Sequence, residues 1–289
     1  MAGDLILSID VGTQSVRAVL FDLRGNIVAL QKEPLPPWQV PQAGWAEQEA
    51  AVYWENLCRA VNKLWRAGSG LKDRLRCLAL TTQRSTVLLL DREYRPLYPA
   101  VLWLDQRQAE RVPPLSRAWR WLFTLLGQRS TLRYLQTQAE VNWFAAHRPD
   151  IWAKTNKVVF LSGYLTWLLT GELVDSAASQ VGYLPFDYRR QDWAASGDWK
   201  WSALSVRREQ LPRLVKPGQI MGQVSKKAAA ATGIPAGLPV VAAAADKACE
   251  VLGSGCLMGE QGSISYGTTA TINITSYSQM IVLLFLAGG

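Results

Sequence analysis

LSIDVGTQSVRAVLFD, Leu7 to Asp22, is the stretch whose reading decides the fold. Leu5 to Ile9 is an apolar run of strand length, and Val16, Ala18 and Leu20 alternate with Arg17, Val19 and Phe21 in a second strand. Between them stands Asp10-Val11-Gly12-Thr13-Gln14-Ser15. Gly12 permits the positive φ of a tight turn, and the hydroxyls of Thr13 and Ser15 can join backbone N–H groups in cradling an anion. Asp10, closing the first strand just before such a turn, is placed to hold Mg²⁺ through water beside a phosphate. Arg24-Gly25-Asn26 makes a second turn and Ile27 to Leu30 a third strand, so a three-stranded meander is predicted. A Walker loop is excluded, because GxxxxGK[ST] is absent. An ordinary hairpin whose turn happens to contain Gly and Thr fits the same pattern.

The bulk properties narrow the class. At 289 residues the chain can hold two domains. Hydrophobic content of 49% against 19% charged excludes a disordered chain. The net charge of +8 is scattered with no basic arm, which fits a protein handling anionic phosphates and argues against nucleic acid as a partner. Cys58, Cys77, Cys249 and Cys256 have no metal-like pairing, and Met1-Ala2-Gly3-Asp4 runs straight into a strand with no secretory apolar region. Free thiols in a reducing cytoplasm are expected. His147 is the only histidine, so Ser-His-Asp and multi-His metal chemistry are excluded. Ile281 to Ala287 is apolar but far short of the roughly 20 residues that span a bilayer, so no membrane partner is expected.

The pattern D-x-G-T-x-S-x-R-A-x-x-F-D at Asp10 to Asp22 resembles the first phosphate loop of the FGGY carbohydrate kinases. The fold implied is α/β, ribonuclease H-like (the actin/hexokinase type of ATPase domain), with a mixed sheet flanked by helices. By that resemblance Gly12, Thr13, Gln14, Ser15 and Arg17 would bind the phosphates of ATP, and Asp10 its Mg²⁺.

Further motifs follow in the family's order. Leu35 to Gln48 is a Pro-rich connection similar to the family's P-x-x-G-W-x-E-Q, ahead of a helix over about Glu49 to Trp65 whose Trp54, Leu57, Val61 and Leu64 are core by spacing. Leu75–Thr81 and Thr86–Asp91 read as strands around Thr82-Gln83-Arg84-Ser85. Alone this loop reads as a solvated turn, but T-x-Q-R-x-T resembles the substrate loop of glycerol kinase-like members. That makes Gln83 and Arg84 candidates for polyol oxygens.

Trp103-Leu104-Asp105-Gln106-Arg107 ends an apolar strand and resembles the family's W-x-D-x-R. An aromatic face covers the C–H side of a sugar while a carboxylate accepts hydroxyl protons, so Trp103 and Asp105 are candidates for substrate contact, with Arg107 open to a structural ion pair. Pro113 to Trp152 is helical by period. Where the family carries Lys ahead of a Trp, this chain has Glu140-Val141-Asn142-Trp143.

Lys157 to Glu172 resembles the family's D-Y-L-x-x-x-L-T-G with Gly163 at the Asp position and Gly171 as a helix C-cap, and Asp175 to Ser179 its D-x-x-x-A-S turn near the sugar. Trp193, Trp199 and Trp201 read as core or loop anchors, and Ile220–Val224 with Ala228–Gly233 as a strand and short helix.

Leu238 to Cys249 is a strand of small residues followed by a helix opening on Asp246. An Asp there is often only an N-cap. The family's general base occupies this place in a G-x-x-D-x-x-[AC] setting, so the resemblance makes Asp246 the base that takes the proton of the attacking hydroxyl. Ser263 to Ile272 resembles the second phosphate loop, with Gly267, Thr268 and Thr269 as further ATP contacts.

The likeness ends after Thr275. The expected organisation is a sugar-binding domain over residues 1–253, the opening strands of a nucleotide-binding domain over 254–275, and a divergent apolar tail over 276–289. The implied activity is ATP-dependent phosphorylation of a ketose, pentulose or polyol hydroxyl by a fragment of a kinase, with a homodimer open. The rivals are an inactive remnant that binds sugar or a partner, and an actin- or heat-shock-type ATP-binding assembly protein.

Overall fold

In the computed structural model, which describes residues 3–258, 261–266 and 270–274, the opening meander forms as its sequence predicts. Strands β1 (Leu5–Val11), β2 (Ser15–Asp22) and β3 (Ile27–Pro34) pair antiparallel, with Asp10 opposite Arg17. The short β4 (Glu47–Gln48) leads into α1 (Ala50–Leu64), followed by β5 (Leu75–Thr82), β6 (Val87–Leu90) and β7 (Ala100–Val101).

The long helical stretch expected from Pro113 to Trp152 is divided into α2 (Arg117–Leu125), α3 (Arg129–Gln138), α4 (Glu140–His147) and α5 (Pro149–Trp152). Each break has a local cause. Gly127 takes φ +65°, Ala139 is extended, and Pro149 fits only a helix's first turn.

Next come β8 (Lys157–Phe160), α6 (Leu161–Thr170), β9 (Val174–Ser176), β10 (Phe186–Asp187), β11 (Asp192–Trp193) and α7 (Trp199–Ala203). They are followed by β12 (Arg213–Val215), β13 (Ile220–Gln223), α8 (Lys226–Thr232), β14 (Pro239–Ala242), α9 (Asp246–Gly253), β15 (Gly262–Tyr266) and β16 (Ala270–Ile274). Gly171 caps α6 with φ +84°, as its sequence predicts.

The principal sheet is mixed, ordered β13-β14-β5-β1-β2-β3, with β14, β5 and β1 parallel at its centre. A second sheet is ordered β4-β7-β6-β8. All four residues of β6 are buried, which is why its sequence shows no alternation. Leu88 and Leu90 face the core of the principal sheet, lined by α1, α6 and α8, while Val87 and Leu89 face a second core with Trp143, Phe144 and Trp193. One four-residue strand is thus the wall between two cores.

The chain divides into two compact units, Met1–Asp246 and Lys247–Gly289. In the second, β15 and β16 form an antiparallel hairpin. The expected contacts Gly267, Thr268 and Thr269, and the tail over 276–289, lie outside the described residues. No helix among the described residues is long and apolar enough to cross a membrane.

Candidate active site

Three parallel neighbours, β1, β5 and β14, end at the same edge of the principal sheet, where α/β proteins bind their ligands. β1 delivers Asp10 and the turn Gly12 to Gln14, β5 delivers Gln83 and Arg84, and β14 leads through Ala243–Ala245 to Asp246. Asp10 is level with Thr81, and Ala242 with Leu80. Two strand spacings, about 10 Å, therefore separate the Asp10 strand from the one that leads to Asp246.

The turn after β1 is locked to its neighbours through Thr13. The indole Nε1 of Trp103 donates to Thr13 Oγ1 (3.0 Å), which donates to Gln83 Oε1 (2.8 Å). Gln83 Nε2 in turn donates to the Tyr53 hydroxyl (2.9 Å). The structure thus brings together three of the predicted residues, Thr13, Gln83 and Trp103, and adds Tyr53, which the sequence presents only as one more apolar position of α1. Burial pushes the Tyr53 phenol far above its ordinary pKa, so it stays a neutral partner. Tyr53→Phe is expected to leave the buried Gln83 amide without its acceptor and to cost about 1–3 kcal/mol in urea unfolding.

Gly12 N–H donates to the Ser15 carbonyl at 3.0 Å, closing the turn. The N–H groups of Thr13 and Gln14 have no backbone partner among the described residues, so they suit a phosphate oxygen. Ser15 is buried at the head of β2, and its hydroxyl does not face solvent as the anion cradle requires. Asp10 Oδ2 accepts from Arg17 Nη1 at 2.6 Å, which anchors one nitrogen of the exposed Arg17 guanidinium beside the turn. No cluster of three or more His, Cys, Asp or Glu able to hold a metal occurs among the described residues, so a metal here would rest on Asp10 largely through water. Arg84 is exposed, near enough to Tyr188 for its charge to act on that phenol.

Asp246 is half-buried and opens α9. Its approach is clamped at three successive residues. Ser176 Oγ donates to the Ala243 carbonyl, Thr81 Oγ1 to the Ala244 carbonyl (2.8 Å), and Ala245 N–H to the Ala178 carbonyl (3.2 Å). Ser176 and Thr81 therefore fix the path of the chain into Asp246, a role carried by hydroxyls that the sequence offers only as strand and turn residues.

Asp105 is placed otherwise than the sequence suggests. Its Oδ1 accepts from Arg107 N (2.9 Å) and Nε (2.7 Å), and its Oδ2 from Ala46 N (2.6 Å) and Arg107 Nη2 (2.8 Å). Those four donors fill the carboxylate's acceptor positions, and only 2% of the side chain is exposed. Asp105 is a structural residue, not a sugar ligand.

Arg107 Nη2 also donates to Glu47 Oε1 (2.7 Å), which accepts from the Tyr98 hydroxyl as well (2.6 Å). The guanidinium packs against the rings of Trp45 and Trp143, at 4.1 and 4.7 Å, which meet edge to face beside it. Burial alone would lower the Arg107 pKa, but Asp105 and Glu47 more than offset it and raise it. The G-W-x-E stretch and the W-x-D-x-R stretch are thus two halves of one buried lock.

Glu140 stands beside this lock. Burial holds its carboxyl above the usual range, the Asp105 charge adds to that, and Arg107 opposes it.

The model of the FGGY family of carbohydrate kinases, N-terminal domain, matches residues 5–253. The chain belongs to the FGGY family. It is 33% identical over 269 residues to an uncharacterized sugar kinase, YgcE, of Escherichia coli (strain K12), covering 93% of this chain and 47% of that protein. The xylulose kinase of the same organism is 30% identical, with 92% of this chain and 53% of the relative covered. The solved xylulose kinase from Rhodospirillum rubrum superimposes with a TM-score of 0.78 at 25% identity, over 93% of this chain and 54% of that one. The FGGY chain described here spans about half the length of the curated relatives it matches. Its mixed sheet with flanking helices is the ribonuclease H-like fold of those kinases.

Proposed function

We propose that this chain is the acceptor-binding part of a sugar or polyol kinase, in which a substrate hydroxyl attacks the terminal phosphoryl group of ATP. The observation that carries the reading is the convergence of Asp10, the Thr13–Gln83–Trp103 chain and the clamped Asp246 on the ends of β1, β5 and β14. The xylulose kinases among the relatives, and a glycerol kinase solved with ADP that shares the fold, support a ketose or polyol as acceptor and an adenine nucleotide as donor, which this reading takes to be Mg-ATP.

Within this scheme Asp246 takes the proton of the attacking hydroxyl, worth about 10²–10⁴ in rate. A carboxylate at a helix N-terminus is favoured in its ionised form, as a base requires. Trp103 covers the sugar's C–H face and Arg84 donates to its hydroxyls. The amides of Thr13 and Gln14 hold phosphate oxygens, and Asp10 orients the water shell of a metal. Bound Mg-ATP supplies the electrophilic phosphorus. The second reading is a sugar-binding remnant without turnover.

Thermal unfolding of the chain with polyols, ketopentoses and ketohexoses, each with and without Mg-ADP, tests both readings. One sugar at a hundredfold excess over its Kd should raise the midpoint by roughly 5 °C. The rise should vanish in Trp103→Ala and persist in Asp246→Asn. A sugar response indifferent to Mg-ADP selects the remnant. No response to any sugar overturns the substrate site.

A further inference from the structure

Residues 111–139 carry five arginines, Arg111, Arg117, Arg120, Arg129 and Arg133, and no acidic residue or lysine. All five are exposed, and none forms an ion pair among the described residues. Three of them, Arg120 on α2 with Arg129 and Arg133 on α3, line a cavity of about 270 Å³ whose wall is apolar, with Phe123, Leu132 and Pro113. The larger cavity of about 590 Å³ differs in kind. It mixes Glu172 and Asp192 with Lys157 and Arg208, whose side chains already donate to the carbonyls of Glu209 and Ala194.

We propose that the cavity between α2 and α3 binds a small phosphate monoester. A monoester carries close to two negative charges at neutral pH and three strong acceptors, and planar guanidinium forks match that geometry in pairs. Arg133 Nη2 donates to the Glu110 carbonyl (3.0 Å), which leaves its charge unneutralised, so three cations without an ion partner repel one another at one rim, and a dianion relieves this where a neutral sugar cannot. Phe123 and Leu132 offer an apolar floor for the C–H or ring face of the ester's body. The volume, just below the usual range for drug-sized ligands, admits a molecule of triose- to pentose-phosphate size and excludes a whole nucleotide. The site lies on helices remote in sequence from the strand ends that carry Asp10, Gln83 and Asp246, and it stands independently of the substrate reading.

Isothermal titration of the full chain with glycerol 3-phosphate, phenyl phosphate and inorganic phosphate, alongside glycerol and phenol, tests the proposal. The two esters should bind and their unphosphorylated parents should not. The double substitution Arg120→Gln/Arg129→Gln, on exposed side chains, should weaken the esters at least tenfold, with the circular dichroism spectrum unchanged. Asp246→Asn should bind them as the wild type does. Ester binding that survives the double substitution, or that is lost in Asp246→Asn, places the anion elsewhere and overturns the proposal. Binding of anionic lipid vesicles with no binding of either soluble ester also overturns it, in favour of a membrane surface.

Discussion

Arg107→Met is expected to destabilise the protein by about 3–5 kcal/mol, enough to take a typical domain to the margin of folding. The cost does not come from a lost surface ion pair. It comes from two carboxylates, Asp105 and Glu47, with side chains 2% and 4% exposed, left facing each other's charge without a counterion. The two indole rings packed against the guanidinium lose their cation as well. Lysine should rescue poorly, because a single ammonium cannot supply Nε and Nη2 together to Asp105. Urea unfolding of Arg107→Met, Arg107→Lys and Asp105→Asn measures this. A loss below about 1 kcal/mol in Arg107→Met would show that the lock does not organise the segment.

The second large effect concerns pH. Asp175, on β9, is fully enclosed, and burial pushes its carboxyl up to about 7, against donation from Ser162, Gln180 and the amides of Ser176 and Gly163. The folded chain therefore holds a proton that the unfolded chain has released, across the window from about pH 4 to about pH 7. Stability falls as pH rises through that window, by roughly 4 kcal/mol in all, and the loss is complete above about pH 7. Glu140 acts with the same sign. Unfolding free energies of wild type and Asp175→Asn at pH 5, 6, 7 and 8 should show a gap that shifts in favour of the variant as pH rises. Parallel lines would mean that Asp175 is ionised throughout. Gly163 belongs to the same site, since a Cβ there would meet Asp175 Oδ2 at 3.3 Å.

What the sequence made legible was local. The Gly171 cap and the small-residue strand before Asp246 each carry their cause within a few residues, and each is where it was expected; the turn at Gly12 is also in place, but Gly12 does not take the positive φ expected of it. What it hid was pairing at a distance. W-x-D-x-R reads as one cluster, yet Trp103 reaches Thr13 whereas Asp105 and Arg107 turn away to Ala46 and Glu47. Nothing in the spacing says which way each side chain goes. That depends on the G-W-x-E segment some sixty residues earlier. Tyr53, Thr81 and Ser176 were missed for a similar reason. A lone hydroxyl on a helix or strand has no motif, and its role appears only when a neighbouring backbone is brought against it. The breaks among α2 to α5 were partly readable from Gly127 and Pro149, but period alone ran through them.

The order of strands at the centre of the sheet bears on how the protein is made. β5 gains one parallel neighbour, β1, that has already been synthesised, but its other neighbour is β14, at Pro239–Ala242. At ordinary rates of translation the ribosome needs on the order of 10–30 s to pass from Thr82 to Pro239. Throughout that interval one edge of the most apolar part of the sheet has open N–H and C=O groups and no partner in the nascent chain. Release before Ala242 would leave an aggregation-prone intermediate, whereas a product that reaches Asp246 has closed its sheet and brought Asp246 to the strand ends in the same step.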